Sequence, residues 1–558
     1  MAKLTVAELV ERHRPTLEAA VAAAAQRGFW SAYPESPSPR VYGETAADEG
    51  LAAYQAYLGN RFPLDQPGTD GWVATEHSPY GPELGVSYPH PDVQTLLTAM
   101  KAAMPAWRDA GAEARAAVAI EIVDRLNKRS FELANAIMHT SGQAFVMAFQ
   151  AGGTHAQDRA LEAIAYGYAE MTRHAGSAYW EKPQGKRDPL KMTKTFHPVP
   201  RGIALVIGCN TFPTWNSYPG LFASLVTGNP VVVKPHPRAV LPLAITVAIG
   251  REALADAGFD PNLVCLAAES DGEGLATVLA TRPEVKIIDY TGSTQYGDWL
   301  ERHARQAQVY TEKAGVNTVV IDSTDDWRGM LGNIAFSLAL YSGQMCTTPQ
   351  NFLVPRDGIQ TDQGHKSFDE VAAGISGAVD GLLGEDARAV ELLGAIVNQG
   401  VLDRLGHAEN LGSVVRPSAT VAHPNFPDAV VRSPLLVALD AKDEDVYAGE
   451  HFGPISFVIA TDSTDQSMEI FRRTVGTHGA LTASVYSTDE KVLDAAEDVA
   501  MDVGVALSCN LTDGVYVNQS AAFSDFHGTG ANPACNSALT DGAFVAGRFR
   551  VVQSRRHV

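Results

Sequence analysis

The chain has 558 residues, too many for one core of ordinary size, so two or three domains are expected. With 45% hydrophobic and 19% charged residues it has the make-up of a soluble globular enzyme. A formal net charge of −21 argues against a general nucleic-acid or membrane-surface binder, although a local basic patch could still hold an anionic substrate.

The opening MAKLTVAELVERHRP has no apolar signal-like core, and no run of about 18 apolar residues follows anywhere, so neither a secretory leader nor a membrane span is expected. Residues 5–27 read as a helix that Pro15 kinks or breaks. Residues 31–90, rich in Pro, Gly and Tyr, read as an irregular surface-wrapping segment. From Asp92 three strongly helical stretches follow, ending near Gly176, and 182–194 (KPQGKRDPLKMTK) is a basic loop or hairpin. After Pro200 short apolar runs alternate with helical segments: GIALVIG, NPVVVKP, NLVCLAAE and VKIIDYTGS are strands of a parallel α/β sheet. A second α/β region spans about 317–512, and FVAGRFRVVQSRRHV is a final strand with a basic tip. Five scattered cysteines without a CxxC pair, and histidines without a metal-binding spacing, point to no disulfide framework, no metal and a reducing cytoplasm.

Several short motifs sit where chemistry is done. GEGLAT and GTGANP each contain GxG without completing GxGxxG, and read as turns. YTGST (290–294) follows a strand and opens a helix, so its backbone N–H groups can face an anion; the same residues also serve as ordinary caps. Lys234 stands just past a buried strand end, as a ligand contact or a solvated lysine. Asn210 leaves another strand end, as an oxyanion donor or a turn former. Glu312 ends an apolar strand, as a general base or a surface charge, and Glu450 and Phe452 flank a Gly-Pro turn. SGQMCTTPQN surrounds Cys346 with small and polar residues, which suits a presented thiol better than a buried one.

In order and spacing these features resemble the aldehyde dehydrogenase superfamily: Asn-(Thr)-Phe-Pro, Gly-Asn-Pro-Val-Val-Val-Lys-Pro, Thr-Gly-Ser, Glu-Lys-Ala-Gly, Gly-Gln-Met-Cys and Glu-His-Phe-Gly-Pro, with Cys346 34 residues after Glu312. The 31–90 segment together with TFPTWNSYPGLF and GQMCTTPQN is similar to the PaaN type of phenylacetic acid degradation protein, without room for the C-terminal hydratase domain of bifunctional relatives. The resemblance implies a Rossmann-type parallel-sheet cofactor domain, a second α/β catalytic domain and a β-hairpin oligomerisation element. The implied division is 1–90 as an extension, 91–315 as the dinucleotide-binding domain interrupted by a hairpin at 182–200, 316–512 as the catalytic domain, and 513–558 returning to the cofactor domain.

It also implies the chemistry. Cys346 is the nucleophile, which forms a thiohemiacetal and then a thioester. Asn210 supplies the oxyanion amide, despite the extra Thr211; Asn216 stands too close to Gly228-Asn229 for the family spacing. Glu312 activates water, so the product is a free acid. Ala314 replaces a family glycine and bears on the pose of Glu312. Lys234, Gly292, Ser293, Glu450 and Phe452 hold the cofactor. Pro237 stands where NAD-preferring members place a Glu, with His236 beside it, so NADP is preferred over NAD. The expected substrate is a small aldehyde, possibly a CoA-linked semialdehyde of aromatic degradation, and the expected assembly is a homodimer or homotetramer. Rival readings are a CoA-acylating dehydrogenase, a non-redox cysteine thioesterase, and an idle cofactor-binding fold.

Overall fold

The computed structural model describes residues 4–313, 315–539 and 541–558. A five-stranded, all-parallel sheet runs in the order Val264–Leu266, Val231–Lys234, Ile203–Ile207, Val285–Gly292, Gln308–Lys313. Its central strand, IALVI, is buried at every position, because helices cover both faces and an alternating pattern would leave polar groups without water. Chain order reverses between Ile203–Ile207 and Val285–Gly292, so a crevice opens beyond the carboxyl ends of the strands.

A seven-stranded sheet follows in the order Ser413–Arg416, Leu435–Asp440, Ile455–Thr461, Asn351–Pro355, Thr318–Ile321, Thr482–Tyr486, Ala506–Cys509. All its pairings are parallel except that of the edge strand Ser413–Arg416. A third sheet joins Ser177–Gln184, Arg187–Pro200 and Phe549–His557, all antiparallel, so the basic hairpin and the final strand pair within one chain. No helix among the described residues is long and apolar enough to cross a membrane.

The first ninety residues differ from expectation in two respects. The helix Val6–Gln26, opened by a Thr5–Glu8 capping box, runs through Pro15 unbroken. Burial of Leu9, His13, Leu17, Ala20 and Ala23 outweighs the one lost hydrogen bond. The stretch read as irregular also holds a helix, Ala46–Gln55, with Asp48 and Glu49 in its first turn.

This extension is built into the cofactor sheet and its helices. The Gln66 side chain donates to the Leu266 carbonyl (2.8 Å) and accepts from its N–H (2.9 Å), which completes the edge strand. Buried Glu76 accepts from the Leu241 N–H (2.9 Å) at the start of the helix Leu241–Asp256, and from the Tyr88 hydroxyl. Asp158 accepts from the Ser31 hydroxyl (2.5 Å) and the Ala32 N–H (3.1 Å).

Candidate active site

Four strand ends of the five-stranded sheet carry the residues singled out by sequence. Ile207 leads into Cys209 and Asn210, Lys234 and Gly292 end their strands, and Glu312 is the last residue but one of Gln308–Lys313. Cys346 and Glu450 come from the second sheet, just before the strands Asn351–Pro355 and Ile455–Thr461. The sulfur of Cys346, a carboxylate oxygen of Glu312 and an imidazole nitrogen of His527 all lie within 4.8 Å of one another.

The nucleophile loop is held by backbone geometry and by distant amides. Tyr341, Ser342 and Gly343 are left-handed in succession (φ 54, 50 and 64), a conformation that disfavours side chains at the first two. The turn persists because each residue is tied down. The Tyr341 hydroxyl donates to the Ser141 carbonyl, the Ser342 hydroxyl to the Gly394 carbonyl (3.2 Å), and the Gln344 amide to the Ala395 carbonyl (3.0 Å). A Cβ at Gly343 would come within 2.6 Å of the Gly453 carbonyl oxygen. Asn317, at the start of Thr318–Ile321, donates to the carbonyls of Cys346 (2.8 Å) and Thr348 (3.0 Å). Gln350 fixes the neighbouring turn, donating to the Gly449 carbonyl (3.0 Å) and accepting from the His451 N–H (2.7 Å). The cysteine loop and the Glu-His-Phe-Gly-Pro turn are thus one hydrogen-bonded unit.

Buried Glu312 has a partner on each oxygen. The Asn216 amide donates to one (3.0 Å) and His527 Nε2 lies 3.1 Å from the other. The same Nε2 is 3.8 Å from the sulfur of Cys346, and Trp215 packs edge-on against the imidazole at 4.6 Å. Loss of water around the sulfur, and then the Glu312 charge, hold the Cys346 thiol well above its ordinary pKa.

Asn210, expected to supply the oxyanion amide, and Asn216 make different contacts. The Asn210 amide donates to the Thr140 carbonyl (3.1 Å), whereas Asn216 reaches the Glu312 carboxylate. Asn216 lies in the first turn of the helix Pro213–Val226, whose start faces Glu312; linear spacing does not show which way a turn points. His527 carried no signal in the sequence, since it meets Cys346 only through the fold. Ala314 lies outside the described residues.

On the cofactor side, buried Lys234 pairs with Glu269, whose second oxygen accepts from the Leu275 N–H (2.7 Å). Desolvation lowers the Lys234 pKa, and Glu269 works against that loss. Pro237 brings no carboxylate of its own, and the acid beside Lys234 is Glu269, already paired with that lysine. Gly292 and Ser293 lead into the helix Thr294–His303, and Ser293 is exposed at its start. Burial raises Glu450 to about 7, against the Arg404 charge and a hydrogen bond from the Gly315 backbone. Arg404 also donates to the Phe452 carbonyl (3.0 Å). A cationic anchor, an exposed helix start and a buried carboxylate beside the thiol fit a nicotinamide dinucleotide.

The aldehyde dehydrogenase family model matches residues 87–526. The chain belongs to the aldehyde dehydrogenase family. A crystal structure of an NAD-dependent aldehyde dehydrogenase from Burkholderia multivorans is 60% identical, covers 99% of both chains and superposes with a TM-score of 0.97. Benzaldehyde dehydrogenase [NAD(+)] from Pseudomonas putida is 25% identical over 388 residues, covering 68% of this chain and 73% of that protein. A Thermus 1-pyrroline-5-carboxylate dehydrogenase with bound NAD shares the fold at a TM-score of 0.71 and 19% identity, covering 95% of this chain and 99% of that one. In this aldehyde dehydrogenase the parallel-sheet cofactor region and the second α/β region meet at Glu312 and Cys346.

Proposed function

We propose that this aldehyde dehydrogenase converts an aldehyde to a free carboxylic acid, with NAD preferred over NADP. The observation that carries the reading is a buried carboxylate, Glu312, held by Asn216 and His527 against the Cys346 thiol. Glu312 takes the thiol proton, and the sulfur adds to the carbonyl carbon to give a thiohemiacetal oxyanion. The Cys346 backbone N–H and the amide of Asn210 or Asn216 would face that oxyanion; the contact of Asn216 with Glu312 supports Asn216. A bound nicotinamide would supply the hydride acceptor, and loss of hydride from the thiohemiacetal would leave Cys346 as a thioester. Glu312 passes the thiol proton to solvent and, as a carboxylate again, removes a proton from water, which attacks the thioester carbon and releases the acid and the thiolate. CoA-acylating chemistry would have no use for that activation of water.

Lys234, Gly292, Ser293, Glu450 and Phe452 would hold the dinucleotide. Glu269 beside Lys234 supports NAD, because a carboxylate there would repel a 2′-phosphate. The resemblance of residues 31–90 and of TFPTWNSYPGLF to the PaaN type supports a CoA-linked semialdehyde of phenylacetate degradation as substrate. The exposed three-stranded sheet supports a homodimer or homotetramer, and the absence of disulfides among the five cysteines fits a cytoplasmic enzyme.

The test is absorbance at 340 nm with aldehydes from short aliphatic to CoA-linked, each with NAD and with NADP. Reduction lost in Cys346→Ala, faster with NAD and independent of free CoA is the expected result. Dependence on CoA would replace hydrolysis by acyl transfer, and reduction by no aldehyde would end the dehydrogenase reading.

A further inference from the structure

We propose that Glu312, Cys346 and His527 form an exchangeable zinc site whose occupation switches the enzyme off. The proposal rests on the catalytic reading of Cys346 and Glu312 and adds a regulatory ligand to them.

The donor set is one that zinc selects: a thiolate, an imidazole and a carboxylate. The spacing fits as well. Zn–S near 2.3 Å and Zn–N or Zn–O near 2.0–2.2 Å give tetrahedral edges of roughly 3.3–3.6 Å. Here the sulfur-to-Nε2 separation is 3.8 Å and the Nε2-to-Oε1 separation is 3.1 Å. Small side-chain movements therefore close a three-ligand site, with a fourth position left for water.

The surroundings already orient the ligands. The Asn216 amide occupies Oε2 of Glu312 and leaves Oε1 toward the thiol and the imidazole. The edge of Trp215 fixes the plane of the His527 ring. Such supports are what sets the affinity of a metal site. Glu312 and His527 are buried and Cys346 is part-buried, so the site is shielded from competing solvent.

Binding is balanced as a displacement. Zinc takes the sulfur in place of its proton, which leaves to solvent. His527 presents the Nε2 lone pair and carries its proton on Nδ1. Coordination and turnover exclude one another, because the metal takes the sulfur lone pair that attacks the aldehyde and the oxygen that would accept a proton. Zinc is thus an inhibitor here and not a participant.

The test uses the full-length protein, reduced and freed of metal. Carboxamidomethylation of Cys346 by iodoacetamide is followed by peptide mass spectrometry, with and without one equivalent of Zn2+. Zinc is expected to slow alkylation at least tenfold, EDTA to restore it, and His527→Ala to lose most of the protection when compared with its own zinc-free rate. Co2+ added to wild type should give a near-ultraviolet sulfur-to-metal band and tetrahedral visible absorption, the first of which disappears in Cys346→Ser. Equal zinc protection in wild type and His527→Ala, or a cobalt spectrum free of a sulfur band, would overturn the proposal. If His527→Ala does not fold, His527→Gln and the wild-type cobalt spectrum decide it. Neither readout needs turnover, so an error in the assigned reaction leaves this test intact.

Discussion

Asn216 and Asn210 are both candidates for the oxyanion amide, and their contacts differ. Asn216 touches the carboxylate that moves protons in the proposed cycle, while the described hydrogen bond of Asn210 runs to a backbone carbonyl. Asn216→Ala should lower kcat on the order of a hundredfold, as expected when a preorganised donor is removed. Asn210→Ala should cost less than tenfold by the same measure. Steady-state rates on one aldehyde compare the two, and a larger loss in the Asn210 variant would reverse the assignment. The same pair shows what sequence discloses at this scale. The meeting of Cys346 and Glu312 was legible because each ends a recognisable run of residues. The direction of an amide in a helical turn was not, because it depends on where the helix begins. Glu269 was hidden for a related reason: it comes 35 residues after Lys234 and meets it only across the sheet.

Elements decide how the nucleophile is presented. The turn Tyr341–Gly343 is left-handed throughout and packs against the Gly453 carbonyl, so Gly343 answers two demands at once. Gly343→Ala should destabilise the protein by roughly 1–3 kcal/mol and reduce Cys346 alkylation by iodoacetamide, since strain and close packing act on the same loop. Melting temperature and alkylation rate read these separately; a variant that melts and reacts like wild type would refute the account. In the sequence this stretch looked small and polar for the sake of access. Its glycine and glutamine are now explained by packing and hydrogen bonding, which a linear reading does not resolve. The βαβ rhythm was plain from sequence because buried parallel strands leave unbroken apolar runs. Much of the extension was opaque, because isolated apolar residues and single polar side chains without a regular period attach it. Glu76 is one: burial raises its pKa from 4.5 to about 7. A folded state that favours the protonated acid is most stabilised below pH 4.5 and loses that share as pH rises through 7. At about 1.4 kcal/mol per unit the loss is roughly 3 kcal/mol. Glu76→Gln stays neutral, so its melting temperature should gain on wild type between pH 4.5 and 7.5 and gain no further above. A difference independent of pH would remove Glu76 as the source.

At the scale of the whole molecule, the two parallel sheets share one reaction centre, and the third sheet stands apart from it. Its final strand is anchored by Arg548, fully buried and paired twice with Asp289 at 2.8 and 2.5 Å. Beyond that anchor the strand Phe549–His557 is exposed from Arg550 onward, with Val551 and Val552 both more than half accessible. Apolar side chains on an open strand edge mark a surface suited to another copy of the chain. Val551→Lys with Val552→Lys should shift the mass in light scattering from an oligomer toward a monomer, with melting of the monomer largely preserved. An unchanged mass would place the interface elsewhere. At the opposite side of the fold an edge has been dealt with differently. The Gln66 amide, bonded to both polar groups of Leu266, imitates the backbone of a missing strand. One side chain thereby makes the cofactor sheet end at this strand, so the extension acts as a stopper that keeps nascent or crowded chains from zipping together edge to edge.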